Sequence, residues 1–209
     1  MPERNGSVQI GQCELRPVRT GVDELVSVQG SQHGLFAPAR NAHDGYMNVE
    51  MHASYARADN LPAALLLVDI DRFRSINDIY GHEAGDAVLC GIARRIERWE
   101  GPMCTVARLG GEEFGLLTIG MEGIILGRFA ESIRRGIAGC DHSAAVGERL
   151  VTASVGVAEV RPACDFQQLY RLADEALYDA KRGGRNKVVV QRHQDAPGHV
   201  PDREVAISN

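Results

Sequence analysis

The chain is poor in aromatics: Phe, Tyr and Trp make up 5% of its 209 residues, with a single Trp. Its five cysteines, Cys13, Cys90, Cys104, Cys140 and Cys164, are scattered and odd in number, and no two form a CxxC pair. That argues against both a zinc ribbon and a disulfide-framed secreted domain, and it favours a reduced, cytoplasmic protein. Positive charge is not in excess. Lys and Arg number 23 against 28 for Asp and Glu, a formal net charge of −5. A protein that coats DNA or RNA through a broad basic surface is disfavoured, whereas a small cationic pocket for phosphates is not. Long apolar runs are missing too. The longest, Ala63–Val68, is far too short to cross a bilayer, so no membrane insertion is expected. The opening residues Met1-Pro2-Glu3-Arg4-Asn5-Gly6 contain no apolar h-region, so no signal peptide is expected.

What is present fits one mixed domain of about 130 to 170 residues plus tails. Residues 1–43 are rich in Gly, Gln, Ser and Pro without sustained periodicity. They read as an irregular N-terminal segment, with a short strand at Leu25–Val28. The domain proper runs over residues 44–192. Residues 193–209 are polar, carry two prolines, and read as a disordered C-terminal tail.

Within the domain, Asp44–Ala58 has Met47, Met51, Tyr55 and Ala58 at helical spacing, with Asp44 available as N-cap. Ala63–Val68 reads as a strand buried on both faces, ending abruptly at Asp69. Gly85–Trp99 is an amphipathic helix. Met103–Leu109 and Phe114–Ile119 flank two glycines as a β-hairpin. Glu122–Ala138 is a helix, Val151–Val160 a strand, and Asp165 caps a helix over Phe166–Lys181. That last helix turns Phe166, Leu169, Leu172, Ala173, Ala176, Leu177 and Ala180 inward. Lys187–Gln191 is the final strand. The fold class is therefore α+β: a ferredoxin-like βαββαβ palm with an extra C-terminal helix and strand. In that topology the first strand lies beside the hairpin, which brings Asp69 to Glu112.

Carboxylates meeting at a strand end and a tight turn repel one another, and a divalent cation is the simplest reason to gather them. Mg²⁺ (or Mn²⁺) takes hard oxygen ligands and bridges to nucleotide phosphates. Asp69, Glu112 and the Ile70 carbonyl are the candidate ligands, against the alternative of a solvated acidic turn. Gly110-Gly111 serve a hairpin turn expected to need positive φ, and their missing side chains also let a base or ribose approach the backbone. Arg72, Phe73 and Arg74 follow the acidic strand end in an expected loop whose backbone N–H groups can hold phosphates. Arg74 can balance transition-state charge. Lys181 and Arg185 flank the last helix end, where complementing the helix dipole is the simpler alternative. Asp86 and Asn77 offer the acceptor and donor types a guanine needs, with N-capping as the structural alternative for Asp86. His82, between glycines, reads as a loop histidine.

Three blocks carry a resemblance: Asp69–Asp78, then Tyr80–Asp86, then Arg108-Leu109-Gly110-Gly111-Glu112-Glu113-Phe114. Ser154-Val155-Gly156-Val157 and Ala173–Asn186 add two more, in order. Over roughly residues 44–191 the chain resembles the GGDEF diguanylate cyclases, in a GGEEF variant of their signature. The resemblance implies the nucleotidyl-cyclase type of palm, and a homodimer whose facing half-sites join two GTP into cyclic di-GMP with release of two pyrophosphates. It implies Asp69, the Ile70 carbonyl and Glu112 as metal ligands, and Glu112 as the base acting on the ribose 3′-hydroxyl. Glu113 supports a second metal position or the same proton transfer. By the same resemblance Asn77 and Asp86 would read guanine, His82 would line the substrate site, and Arg74, Lys181 and Arg185 would neutralise the triphosphate, with Phe73 binding substrate through the backbone N–H groups read above. The chain departs from the family in three places. Arg74 replaces the usual Lys. Gly101-Pro102-Met103-Cys104 stands where many members carry an Arg-x-x-Asp product-inhibition site. The opening segment Gln32-His33-Gly34-Leu35-Phe36 keeps only Gly-Leu of the usual pattern. The competing readings are a GGDEF module that binds GTP or cyclic di-GMP without turning it over, and a palm cyclase acting on another nucleotide such as ATP.

Overall fold

The structure is a computed structural model, and it describes residues 42–159 and 165–191. The expected strand at 25–28, the opening segment at 32–36 and the tail after 192 lie outside the described residues. The elements run in order α1 (Ala42–Ala58), β1 (Ala63–Ile70), α2 (Phe73–Tyr80), α3 (His82–Ile96), a 3₁₀ turn (Glu97–Trp99), β2 (Cys104–Arg108), β3 (Glu113–Ile119), α4 (Gly123–Ala138), α5 (Ser143–Val146), β4 (Ala153–Glu159), α6 (Phe166–Arg182) and β5 (Val188–Gln191).

The strands form one sheet in the order β2-β3-β1-β4-β5, antiparallel except for the β4–β5 pair. The first four strands give the ferredoxin-like arrangement, and β5 is added at the β4 edge. β1 is central because both its faces are apolar. Its residues Ala63–Val68 are all buried, some against α1 and α6 and some against α2, α3 and α4. Alternation along a strand assigns the faces. Leu65 and Leu67 belong to the core under α1 and α6, and Ala64, Leu66, Val68 and Ile70 to the core under α2, α3 and α4.

α6 forms as its pattern dictates. Asp165 accepts from the Gln168 backbone N–H at 2.7 Å, and the Gln168 side chain returns to the Asp165 N–H, a complete capping box. All seven residues expected on its inner face are buried. α1 is different. The residues it buries are Val49, Ala53 and Ala56, with Tyr46 packed alongside, while Met47, Met51 and Tyr55 are exposed. Small residues face inward because α1 lies close against the end of the β2–β3 hairpin.

Further corrections concern the segment after β1. The expected loop at Arg72–Arg74 is instead the start of helix α2, entered through Arg72 in the left-handed region at φ 56°. His82 is not in a loop but opens α3, and Asp86 lies inside α3 rather than at its N-cap, which is Gly81.

His142 lies buried beside Gly91 of α3, and its Nε2 has no hydrogen-bond partner among the described residues. Burial holds its pKa below the usual histidine value, opposed in part by Asp141. A depressed histidine pKa stabilises the fold above the unfolded value of about 6.5 and loses that contribution as pH falls through the folded value. His142→Leu is therefore expected to flatten the fall of melting temperature between about pH 7 and pH 5. A slope equal to that of the wild type would show that another group titrates there.

Candidate functional site

Asp69 is the next odd-numbered residue after Leu65 and Leu67, so it faces the α1/α6 side just where the core ends. Glu113 is its register partner on β3. The backbone N–H of Ile70 donates to the Glu112 carbonyl at 3.3 Å, which ties the hairpin turn to the end of β1. Asp69 thus meets Glu112 and Glu113, more than forty positions later in the sequence, at one strand end.

Lys181, near the end of α6, reaches Asp69 with Nζ–Oδ2 at 2.8 Å, the two side chains being 33% and 15% exposed. Burial pushes the Asp69 carboxyl above its ordinary range, and the hydrogen bond and charge of Lys181 pull the other way. Glu112 is also raised, by burial first and by the Asp69 charge second. Glu113 is raised by burial, with a hydrogen bond from Tyr170 opposing. Burial and the neighbouring Glu113 push the Tyr170 hydroxyl up to about 12. Burial is thus the first cause of the shift in all three carboxyls, and the Lys181 charge opposes it in each.

Among the described residues no three His, Cys, Asp or Glu side chains form a cage able to hold a metal alone. Mg²⁺ is commonly held by one or two carboxylates, with substrate phosphates completing its shell. The donors here are all hard oxygens: Asp69, Glu112 and the Ile70 carbonyl.

The glycines of the turn do not need positive φ. Positive values among described residues fall at other glycines and at Asn60, Arg72, Arg185 and Asn186. The turn is held instead by Arg108, whose Nε donates to the Gly110 carbonyl at 3.0 Å and whose Nη2 donates to the Gly111 carbonyl at 2.6 Å. Nothing lies within 4 Å of a Cβ placed on Gly111, whereas one on Gly110 would lie 3.7 Å from Glu113 Oε2. The backbone at Gly111 is open to a ligand.

The other face of the strand end carries α2 and α3. No side chain caps α2, so its first-turn amides stand at the end of β1, where an anion is favoured. The Phe73 side chain is buried in the core, so only its backbone can serve a substrate. Arg74 is 92% exposed and only 3.8 Å from Asp78, a loose pair apart from the acidic cluster. Asn77 is packed on the first turn of α3: a Cβ on Gly85 would overlap Asn77 Oδ1. This brings Asn77 next to Asp86, which is exposed, as is His82. Arg185 is exposed past the end of α6 and is near enough to lower the Asp69 pKa. The structure thus joins Asp69, Ile70, Glu112, Glu113, Lys181 and Arg185 in one group and places Asn77 against Gly85, the residue before Asp86. Arg74 touches neither.

Asp71 lies outside the group around Asp69, although it stands two residues after it. It is buried and accepts from Ser154 Oγ and Thr152 Oγ1, each at 2.7 Å, and from the Asn186 backbone N–H at 3.0 Å. It is a structural tie at the base of the site. Arg108 and Tyr170 are the contributors that sequence reasoning missed, and Asp71 lies in the resembling block Asp69–Asp78 without a role of its own there. Arg108 lay within the quoted signature block, but nothing in its spacing distinguishes a clamp from a solvated arginine.

The matching family model is described as "Diguanylate cyclase, GGDEF domain" and covers residues 38–187. The chain belongs to the GGDEF diguanylate cyclase family. Its GGDEF domain is 42% identical over 126 residues to "Diguanylate cyclase DgcM" of Escherichia coli K12, covering 60% of this chain and 30% of that protein. It is 37% identical over 153 residues to "Diguanylate cyclase VdcA" of Vibrio cholerae, covering 72% and 43%. The chain therefore spans between about a third and under half of the length of these curated relatives. Among solved structures, the GGDEF domain of DgcB from Caulobacter crescentus in complex with c-di-GMP aligns with TM-score 0.67 at 30% identity, covering 79% of this chain and 98% of that one. The active GGEEF domain of a Vibrio cholerae diguanylate cyclase aligns with TM-score 0.65 at 28% identity, covering 75% and 99%. No described helix is long and apolar enough to cross a membrane.

Proposed function

We propose that the GGDEF domain condenses two GTP molecules into cyclic di-GMP with release of two pyrophosphates, each half-site of a homodimer presenting one GTP to the other. The observation that carries this reading is the meeting of Asp69, Glu112 and Glu113 with Lys181 at the end of β1. Asp69, the Ile70 carbonyl and Glu112 would hold Mg²⁺ (or Mn²⁺), which when bound would supply Lewis-acid polarisation of the phosphates. Glu112 accepts the proton of the ribose 3′-hydroxyl, and burial has already raised its affinity for a proton. Glu113 supports a second metal position or the same transfer. Lys181, which lies 2.8 Å from Asp69, and Arg185 would neutralise the triphosphate. Arg74 reaches the same phosphates from α2, whose first-turn amides, including that of Phe73, bind their oxygens. Asn77 and Asp86 take the guanine edge and His82 lines the pocket, while Gly110 and Gly111 let the nucleotide lie on the turn. Catalysis then rests on positioning and charge.

The Arg-x-x-Asp position has no role in this scheme. Gly101 and Cys104 exchange backbone hydrogen bonds at 2.9 and 3.1 Å as a tight turn into β2, and Cys104 is buried. No cationic side chain stands there to grip a phosphate.

The test is purified protein with GTP and Mg²⁺ over a series of protein concentrations, with products identified by mass spectrometry. Cyclic di-GMP should form at a rate rising more steeply than protein concentration, ATP should not substitute, and added cyclic di-GMP should leave the initial rate unchanged. Tight GTP binding without product at every concentration would assign the domain instead to nucleotide-binding signalling.

A further inference from the structure

Glu113 is held from outside the signature. The Tyr170 hydroxyl of α6 donates to Glu113 Oε1 at 3.3 Å. The other carboxylate oxygen then faces the turn, since a Cβ on Gly110 would lie 3.7 Å from Glu113 Oε2. The Tyr170 ring is itself braced. It lies 5.7 Å from the Tyr46 ring of α1 and 6.4 Å from the Phe166 ring, and Tyr46 meets Phe166 edge-on at 5.2 Å. One residue before Tyr46, Gly45 packs on β2 so closely that a Cβ there would sit 2.6 Å from the Arg108 carbonyl. Arg108 is the residue whose guanidinium holds the carbonyls of Gly110 and Gly111. Adjacent positions of α1 therefore rest on both supports of the turn, the arginine that clamps its backbone and the tyrosine that orients Glu113.

We propose that Tyr170 is a positioning residue for Glu113, and that Tyr46 makes this positioning depend on the placement of α1. The inference rests on the cyclase reading for its rate measurement but not for its binding measurement. The hydroxyl fixes one oxygen of Glu113, so the other is presented to the turn rather than left to rotate. Tyr46 supplies the packing that keeps the Tyr170 ring from swinging away.

Tyr170→Phe keeps the ring contacts and removes only the hydrogen bond. Partners of this kind typically change metal affinity or activity by about 10–100-fold when removed. At the low end of that range, Tyr170→Phe should lower kcat about 10-fold, leave KM for GTP within about 2-fold, and weaken Mn²⁺ binding by electron paramagnetic resonance about 10-fold in the presence of a non-hydrolysable GTP analogue. Tyr46→Ala should act in the same direction, and the double variant should resemble Tyr170→Phe alone, because the two changes act through one contact. Tyr55→Ala, on the exposed side of the same helix, is the control and should change nothing. Unchanged Mn²⁺ affinity in Tyr170→Phe overturns the proposal, and so does a wild type that binds no Mn²⁺. Fully additive effects of Tyr46→Ala and Tyr170→Phe overturn the α1 link. If the wild type binds Mn²⁺ but forms no cyclic di-GMP, the cyclase reading fails while the Mn²⁺ titration of the variants still decides the role of Tyr170.

Discussion

Glu112→Gln is expected to reduce cyclic di-GMP formation by about 10²–10⁴-fold, the range for removing a general base, while the protein stays folded. The two consequences separate because Glu112 contributes to the structure through its backbone. Its carbonyl accepts from Ile70, and no replacement of the side chain alters that bond. The side chain is partly exposed and is not part of either core. What glutamine removes is a negative charge and a proton acceptor next to Asp69. Loss of the charge also relieves repulsion in the acidic cluster, so the melting temperature of the metal-free variant should equal or slightly exceed that of the wild type. GTP should still bind through Asn77, Asp86 and the cationic side chains. The check is product formation under single-turnover conditions, with melting temperature and GTP binding on the same preparation. Turnover equal to the wild type would remove Glu112 from the mechanism.

Much of this was legible in the sequence, and the exceptions have physical reasons. The run Ala63–Val68 could be read as a central strand because both its faces are apolar, and the sheet order then followed from the alternation of elements. α6 could be read to the residue because cap, periodicity and length agree. α2 was missed because eight residues give barely two turns of periodicity, and its polar residues Arg74, Asn77 and Asp78 had an obvious reading as site residues. Phe73 was read through its backbone N–H, and its size and apolarity account for its side chain lying in the core. In α1 the helical spacing of Met47, Met51 and Tyr55 identified a helix but not its buried face. Close approach to β2 leaves room only for small residues there. The turn glycines were credited with a positive φ that Arg108 makes unnecessary, and a clamp made by a distant guanidinium leaves no trace in local spacing.

Asp69 and Asp71 show why the remainder of the site was not legible. Alternation along a strand puts residues two apart on one face, but β1 ends at Ile70 and the chain turns into α2, so the rule lapses between them. Asp69 stays at the edge with Lys181, whereas Asp71 turns inward to Thr152, Ser154 and Asn186. Composition alone cannot tell a carboxylate that waits for a cation from one already satisfied by three donors.

Asp71→Ala should therefore destabilise the fold substantially. A buried donor left without a partner costs about 1–3 kcal/mol; of the three donors, that of Ser154 is buried and those of Thr152 and Asn186 are part-buried. Hydroxyl rotation at Thr152 and Ser154 recovers part of that, so a net loss of about 3 kcal/mol is expected. A functional loss should accompany it. Arg185 and Asn186 both sit in the left-handed region, at φ 67° and 48°. That region costs roughly 1–2 kcal/mol per non-glycine residue, so something must hold the segment. Asp71 holds the Asn186 backbone N–H, and Arg134 of α4 holds the Asn186 side chain. With Asp71 gone the pair can relax, and Arg185 leaves the position from which it acts on the site, raising KM for GTP. Asp71→Asn separates the effects. Its single carbonyl oxygen can replace Oδ2, which serves both Thr152 and Asn186, and its amide can donate to Ser154 once that hydroxyl turns to accept. Stability in Asp71→Asn should then drop by only about 1 kcal/mol, with KM close to that of the wild type. Urea denaturation of both variants, with GTP titration beside it, makes the comparison. Equal stability of Asp71→Ala and the wild type would mean that the three donors find water as readily as they find Asp71.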